Sequence, residues 1–340
     1  TSTRHAHMTR RQGKHTHLHP LRCPANRHPT RLLRTGLLWV LLLAPTLAVP
    51  GRAETRATLN IVAVENTWGD LAAQIAGPDM TVTSLLASPT VDPHLYAPST
   101  DDARHLADAT LVVMNGAGYD TWAGKLADAA RLPAERIIRA DSWPGWHTGG
   151  NPHLWFNTRA VADVVTRLQA ACAQVDPAHA SAYAQRGRAV LDAIARVDAL
   201  LATIRTHVAG RAVAATEPLF DTLAAQMGLD MKEQDFQTAI MNGVEPAPAD
   251  IAQFENDLTA HKLHLLAYNE QMIEVAVVPL LELADSSGIP SLPLTETLPA
   301  NLPFAPAGTA PPPHWQDRIS AIARPTDTLS KVSADAGLVW

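Results

Sequence analysis

Four residues of this sequence combine metal-binding side chains with positions in loops or directly after predicted strands. Two are histidines, each set between a proline and a leucine and followed by an aromatic residue, in TVDPHLYAPS (90–99) and NPHLWF (151–156). Two are glutamates that follow apolar runs. The four candidate ligands are His94, His153, Glu217 and Glu296. Two imidazoles and two carboxylates suit a first-row divalent cation.

The neighbours of these residues also suit a metal site. Pro93 and Pro152 restrict the backbone before each histidine. The aromatic residues that could keep water from the ligands are Tyr96, Trp155 and Phe156. Each candidate also has an ordinary interpretation, because a loop histidine is commonly a surface residue. Glu217, followed by Pro218 at the predicted first position of a helix, would serve as a helix cap. Their joint placement favours the metal site.

Short apolar runs alternate with helical patterns on both sides of the middle of the chain. Before residue 158 they predict strands in ATLNIVAVE (57–65), MTVTSLLAS (80–88), TLVVMN (110–115) and ERIIRAD (135–141). After residue 210 they predict strands in RAVAAT (211–216), KLHLLAYN (262–269) and IPSLPLT (289–295). Strands that alternate with helices form parallel sheets. Ligands bind beyond the carboxyl ends of such strands, where all four candidate ligands could converge.

The middle of the chain, residues 158–207, has helical patterns and no strand signal. Its second part predicts one helix of roughly eight turns. The apolar residues that recur there at helical spacing are Val190, Ile194, Val197, Leu201 and Ile204. The sequence therefore predicts an α/β protein of two lobes, each a parallel sheet flanked by helices, joined by one long rigid helix. The predicted lobes are 54–175 and 210–340, the latter with a proline-rich tail, and the linking helix is 176–209.

Residues 1–53 have the features of a signal peptide. They contain nine basic residues and no acidic ones, and an apolar run (37–49) is followed by small residues at Gly51 and Ala53. The run is too short to span a ~30 Å hydrocarbon core but suits the apolar region of a cleavable signal. The basic stretch before it is either part of the leader or an over-extended start, since Met8 lies within it. We therefore expect secretion to the periplasm.

Without that leader the chain is acidic, because 27 basic residues less these nine leave 18 against 33 acidic ones, a net charge of −15. This charge disfavours nucleic acid and anionic lipid as partners and suits cations. The remaining cysteine, Cys172, lies in a helical pattern, so we expect a core residue and no disulfide within one mature chain. We find no lipid-attachment cysteine beside the cleavage point. We therefore expect a soluble periplasmic protein, and we also expect a monomer.

Residues 91–126 resemble the periplasmic zinc/manganese-binding receptors of ABC importers. They read VDPHLYAPSTDDARHLADATLVVMNGAGYDTWAGKL, and that family has a D-P-H-x-Y-x-P-[ST] loop, a helix and then L-V-x-x-N-G-x-G-Y-D-x-W. Its second histidine loop is similar to NPHLWFNT (151–158), and its carboxyl-terminal lobe to ATEPLFDTLAAQMGL, LLAYNEQ and LPLTETLP. The resemblance covers roughly residues 58–300. It implies a receptor that passes a divalent metal to a membrane permease, with metal positions at His94, His153, Glu217 and Glu296.

The sequence departs from the common zinc pattern of that family in three respects. Glu217 stands where many zinc receptors carry histidine, and Glu296 where the fourth ligand is usually aspartate. Of the histidine-rich loop before the second ligand only His147 remains, as either a transient accessory ligand or an exposed residue. More oxygen and less nitrogen relaxes the preference for zinc. We expect Zn²⁺ as the bound ion, with Mn²⁺ or Fe²⁺ as alternatives.

Two other functions could use the same residues. A secreted metallohydrolase would keep a coordination position open for water beside a general base, but the sequence has no H-E-x-x-H motif and no serine or cysteine nucleophile motif. A metal-binding adhesin is the third alternative.

NGAGYD (115–120) lacks the third glycine of a dinucleotide loop and so predicts a tight turn. We expect a binding protein rather than an enzyme, with an affinity that falls below about pH 6 as its histidines protonate.

Overall fold

The structure is a computed structural model that describes residues 58–88, 90–91, 93–299 and 314–327. The predicted signal peptide, the first residues of the predicted first lobe and most of the predicted proline-rich tail lie outside the described residues. Within these ranges, no helix is both long enough and apolar enough to cross a membrane. The described chain contains two parallel sheets flanked by helices.

The first sheet has four parallel strands in the order β2-β1-β3-β4. The strands are β1 (Asn60–Glu65), β2 (Thr81–Leu86), β3 (Leu111–Met114) and β4 (Ile137–Arg139). All four were predicted from the sequence. Alternate residues of β1 lie in different cores. Ile61 packs in the core that contains Leu71 and Val164, and Val62 packs in the core that contains Leu106 and Ala123. A sheet covered on both faces explains why its central strands read as continuous apolar runs.

The second sheet repeats the topology of the first, with strand order β6-β5-β7-β8 and all neighbours parallel. Its strands are β5 (Ala212–Ala215), β6 (Asp230–Lys232), β7 (Leu266–Asn269) and β8 (Ser291–Leu294). Three of them were predicted. Strand β6 was missed because its sequence, DMK, is short and polar, and its place at the sheet edge leaves it half exposed.

Eight helices of the described chain flank the two sheets. In the first lobe they are α1 (Asn66–Ala76), α2 (Thr100–Ala107), α3 (Thr121–Ala129) and α4 (Thr158–Val175). In the second they are α6 (Asp221–Met227), α7 (Gln234–Met241), α8 (Pro248–Thr259) and α9 (Val278–Ser286). Helix α2 begins with a capping box, in which the side chains of Ser99 and Asp102 accept hydrogen bonds from each other's backbone N–H.

One long helix, α5 (Ala180–Val208), joins the two lobes, as the sequence predicted. At 1.5 Å per residue its 29 residues span about 43 Å. The predicted apolar stripe is buried along its whole length: Val190, Ile194, Val197, Leu201 and Ile204. A single hydrophobic core continues from the first sheet along this stripe to the second sheet. Because the helix belongs to the cores of both lobes, large changes in their relative orientation would disrupt packed side chains.

The last described helix, α10 (Trp315–Asp327), packs against α5 and α1. It therefore returns from the second lobe to the surface of the first. The domain boundaries at residues 54–175, 176–209 and 210–340 stay a prediction.

Candidate metal centre

His153 lies in the loop after β4 and is buried, directly before a short 3₁₀ turn, Leu154–Phe156. Its backbone N–H donates to Asn151 Oδ1 (2.9 Å), and its Nδ1 lies 2.8 Å from the same oxygen. The Asn151 amide nitrogen donates to the carbonyl of Pro218 (2.5 Å), so its oxygen must face the histidine. Nδ1 is therefore protonated, and in the neutral imidazole Nε2 has the lone pair that a metal ion requires.

Glu217 follows β5 and is buried, but it does not cap a helix. The prediction that it caps a helix with Pro218 at its first position is wrong, because α6 begins at Asp221. The chain turns through residues 217–220 instead. This turn buries Leu219 and Phe220 completely and leaves the Pro218 carbonyl to accept the bond from the Asn151 amide of the other lobe. The carboxylate is thus presented by a turn at the end of the strand.

Glu296 lies two residues beyond the end of β8 and is also buried. Its backbone N–H donates to Gln271 Oε1 (2.6 Å), and the N–H of Thr297 donates to the same oxygen (3.0 Å). The Gln271 amide nitrogen donates to Thr297 Oγ1 (3.0 Å) and to the carbonyl of Val91 (3.4 Å) in the other lobe. Gln271 therefore fixes the turn that carries Glu296 and connects it to the loop before His94.

Asn269 links the two carboxylates. Its amide nitrogen donates to Glu296 Oε1 (2.8 Å) and to Glu217 Oε2 (3.2 Å), and its oxygen accepts from the backbone N–H of Gln271 (3.0 Å). The sequence did not lead us to Asn269, although the rule that identified the glutamates, a polar residue at the carboxyl end of a strand, applies to it as well. It is the last residue of β7, and a polar residue at the carboxyl end of a central strand faces the same edge.

Tyr119 connects the first lobe to Glu296. Its hydroxyl donates to Glu296 Oε2 (2.5 Å), and burial, together with the negative charge of Glu296, raises its pKa well above the usual value. Its ring centroid lies 6.2 Å from that of His153 and 5.0 Å from that of Trp155. Trp155 in turn packs edge-on to His153 (5.4 Å). Trp155 and Phe156 are wholly buried, as expected for an apolar surround behind the imidazole.

The backbone of His94 lies in a short 3₁₀ turn, Pro93–Leu95, and its side chain lies outside the described part of the structure. The loop that carries it is anchored nearby. The Tyr96 hydroxyl donates to Asp102 Oδ2 (2.9 Å) at the start of α2, and the Tyr96 ring packs on Trp122 (4.9 Å). His147 is exposed on the surface loop before His153, and its accessory role stays a prediction.

The NGAGYD segment forms the predicted tight turn, and its Tyr119 contacts the cluster. Asp120 accepts hydrogen bonds from the backbone N–H groups of Asn115 and Gly116 (2.8 Å each). Burial raises the pKa of Asp120 to about 6, and burial together with Asp120 raises the pKa of Glu65 well above its usual value. Asn115 also donates to the carbonyl of Pro152 (2.8 Å). The turn that presents Tyr119 is therefore tied to the loop that presents His153.

Further hydrogen bonds join the two lobes around this cluster. The Asn66 side chain pairs with the backbone of Leu298 through two bonds of 2.8 and 2.7 Å. Gln226 of α6 donates to the carbonyl of Phe156 (2.9 Å) and accepts from the Thr158 hydroxyl (2.8 Å). Hydrogen bonds at these two places therefore connect the first lobe to the second.

The structure brings His153, Glu217 and Glu296 into one connected buried cluster. Among the side chains that the structure describes, however, no three His, Cys, Asp or Glu residues are grouped closely enough to hold a metal ion. Asn269 and Tyr119 are hydrogen-bonded to the carboxylates in this arrangement. The assignment of His94, His153, Glu217 and Glu296 as ligands therefore stays a prediction.

Solved structures share this fold. A crystal structure of ZnuA superposes with a TM-score of 0.63 at 17% sequence identity, covering 80% of this chain and 99% of that one. The periplasmic zinc-binding protein TroA from Treponema pallidum gives 0.63 at 19%, covering 82% and 100%. By fold, the chain is thus a two-lobed protein of the ZnuA and TroA type, with its lobes joined by one long helix.

The family follows from the sequence match. The family model of ZnuA, zinc-uptake complex component A, periplasmic, matches residues 61–306, and the chain belongs to this family. The manganese-binding lipoprotein MntA of Bacillus subtilis is 28% identical over 176 residues, which are 46% of this chain and 55% of MntA. The zinc-binding protein TroA of Treponema pallidum is 24% identical over 158 residues, 45% and 49%.

The chain therefore spans about half the length of these two relatives. Their names describe metal-binding proteins, and the family is one of transport components rather than enzymes. None of the matches named here describes a hydrolase or an adhesin, so those two alternatives have no support.

Proposed function

We propose that the chain captures one divalent metal ion between its two lobes and delivers it to the membrane permease of an ABC importer. The observation that carries the proposal is the buried cluster in which Asn269 donates to both Glu217 and Glu296, and Tyr119 connects Glu296 to the aromatic contacts of His153. Two buried carboxylates at one place suit a divalent cation, because its charge offsets the cost of burying theirs. Membership of the ZnuA family supports the same conclusion.

In the proposed site the two lobes contribute one pair of ligands each. The first lobe supplies the imidazoles of His94 and His153, and the second supplies the carboxylates of Glu217 and Glu296. Four protein ligands complete a tetrahedral sphere and leave no position for a catalytic water, which suits capture and transport. The Asn151 contact supports Nε2 of His153 as the coordinating atom, because it holds the proton on Nδ1.

We propose zinc as the metal, with manganese or iron(II) as alternatives. Sites of nitrogen and oxygen ligands bind Zn²⁺ more tightly than Mn²⁺ or Fe²⁺ when geometry does not intervene. The two carboxylates increase the share of oxygen and so favour harder ions. The names of the relatives include both a zinc-binding and a manganese-binding protein.

We further propose that the protein works outside the cytoplasmic membrane as a monomer. The family description is periplasmic, and the basic leader and acidic remainder of the sequence fit export and cation binding. The MntA relative is a lipoprotein, so attachment through a lipid is the alternative to a free periplasmic protein. Mass spectrometry of protein isolated from the native envelope distinguishes the two, because a diacylglycerol-modified terminus has a characteristic added mass.

The proposal is tested by metal loading. Purified protein is stripped with a chelator, exposed to equal concentrations of Zn²⁺ and Mn²⁺, freed of excess metal and analysed for bound elements. We expect roughly one ion per chain, mostly zinc. Loading should be lost in His153→Ala and Glu217→Gln, whereas Glu217→His should increase the preference for zinc.

His261→Ala provides the matched control, since His261 is an exposed histidine of the second lobe outside the cluster. It should load like the unmodified protein. A stoichiometry well below one ion per unmodified chain, or full loading of His153→Ala, would contradict the proposed site.

A further inference from the structure

Helix α10 places two buried polar side chains between the turns that carry His153 and Glu296. Trp315 and Arg318 are three residues apart and so lie on one face of the helix. Both are completely buried. About twenty residues of chain separate α10 from the last strand of the second sheet. This helix contacts α1, α5 and the two ligand-bearing turns.

Trp315 holds the turn of the first lobe. Its indole N–H donates to the carbonyl of Trp155 (2.7 Å), two residues after His153. Its backbone N–H donates to Asp70 Oδ2 on α1 (2.8 Å), and the preceding His314 has its Nδ1 2.7 Å from Asp70 Oδ1. These contacts fix the start of α10 on the first lobe.

Arg318 holds the turn of the second lobe. Its Nη2 donates to the carbonyl and to the hydroxyl (3.0 Å) of Thr295, the residue before Glu296. The Thr295 hydroxyl donates onward to the carbonyl of Thr297 (2.7 Å), which closes the turn around the glutamate. The guanidinium also lies over the ring of Phe156, with its central carbon 5.1 Å from the ring centroid. One side chain therefore contacts both ligand-bearing turns.

We propose that Arg318 is a positioning residue for the metal site: it locks the Thr295–Thr297 turn and packs that turn against Phe156, so that Glu296 and His153 are presented in one fixed geometry. The inference rests on the proposed function, since it concerns the same site. Residues that orient ligands in this way affect metal affinity by about 10–100-fold when they are replaced.

The charge of Arg318 adds to this role. Burial lowers its pKa to about 9, while attraction to the negative charge of Glu296 opposes that shift, so the guanidinium is charged at neutral pH. Two donors to the cluster carboxylates, Asn269 and Tyr119, are neutral. A fixed cation behind Glu296 partly offsets the carboxylate charge and keeps the turn in place while the metal enters and leaves.

The test compares full-length variants loaded with Co²⁺, whose visible absorption reports coordination geometry, and titrated with Zn²⁺ against a competing chelator. Arg318→Met keeps most of the side-chain volume and removes both the charge and the donors. We expect Zn²⁺ affinity to fall about 10–100-fold and the Co²⁺ bands to shift. Arg324→Met, an exposed arginine on the same helix, is the matched control and should match the unmodified protein in both measurements.

A merely structural role would lower the stability of the metal-free protein but leave the Co²⁺ spectrum and the Zn²⁺ affinity of the folded protein unchanged, which would overturn the inference. If Arg318→Met does not fold, Arg318→Lys decides. It keeps the charge but lacks the planar fork, so its Co²⁺ bands should still be shifted, and an unshifted spectrum with full affinity would overturn the inference. If the unmodified chain binds neither ion at about one per chain, the proposed function itself fails.

Discussion

The sharpest test of the cluster is the substitution Asn269→Leu. Leucine has the same number and branching of side-chain heavy atoms as asparagine but has no amide, so both hydrogen bonds to the carboxylates disappear while the branched shape is kept. Each of these bonds reaches a carboxylate oxygen, of Glu217 or Glu296, in a completely buried position. Hydrogen bonds to charged groups contribute about 1.5–3 kcal/mol each, so the metal-free protein should lose about 3–6 kcal/mol of stability.

Bound metal should reduce that loss. A divalent cation neutralises both carboxylates directly, so the amide matters less in the loaded protein. Urea unfolding measured in chelator and in saturating Zn²⁺ should therefore give a large difference between Asn269→Leu and the unmodified protein without metal, and a smaller one with metal. A loss of about 3–6 kcal/mol is a large fraction of the total stability of a folded domain, which is about 5–15 kcal/mol, so urea unfolding can measure it.

Asn256→Leu is the control for this experiment. Asn256 also donates to a carboxylate, Asp257 (3.3 Å), but it is exposed on α8 outside the cluster. We expect a change below about 1 kcal/mol. A loss of less than 1 kcal/mol for Asn269→Leu in chelator would refute the role of Asn269 in holding the carboxylates. An equal loss with and without Zn²⁺ would refute metal binding beside them.

Three further predictions concern residues around the cluster. Burial raises the pKa of Glu65, so the folded protein keeps a proton that the unfolded chain releases above about pH 4.5. The free energy of unfolding should therefore fall as the pH rises above that value. Urea unfolding at pH 5 and pH 8 should show a smaller fall in this free energy for Glu65→Gln than for the unmodified protein. Asn151→Ala should weaken Zn²⁺ binding about 10–100-fold in chelator competition, since the orientation of His153 is lost; unchanged binding would contradict the tautomer argument. Gly116→Ala should lower the thermal midpoint, because φ is 72° and the added Cβ would lie 2.3 Å from the Asp141 carboxyl carbon.

The elements that the sequence predicted well are those with a strong local pattern. The stripe from Val190 to Ile204 predicted α5 because a helix with one buried face repeats its apolar residues at a fixed period. The continuous apolar runs of β1 and β3 predicted a sheet covered on both faces. Strand β6 and helix α7 were missed because their sequences are short and are stabilised by neighbours on the second sheet rather than by their own periodicity.

For the candidate site, the sequence alone supplied the chemistry of the residues. Histidines after prolines and glutamates after strands were visible as local features, and the rule that parallel strands end at one edge predicted that they converge. The same reasoning failed at Glu217, where helix-start signals in Glu217–Pro218 competed with the burial of Leu219 and Phe220, and burial decided the local structure.

What the sequence by itself determined was the two-lobed α/β fold, the long joining helix and the candidate ligands. The tertiary structure alone decided which neutral and charged groups hold those ligands. Tyr119 and Glu296 are 177 residues apart, and Arg318 reaches Thr295 and Phe156 in different lobes. Such contacts leave no periodic trace in the sequence, because they depend on how two sheets and a returning helix pack together. The buried network around the carboxylates is therefore a property of the folded chain.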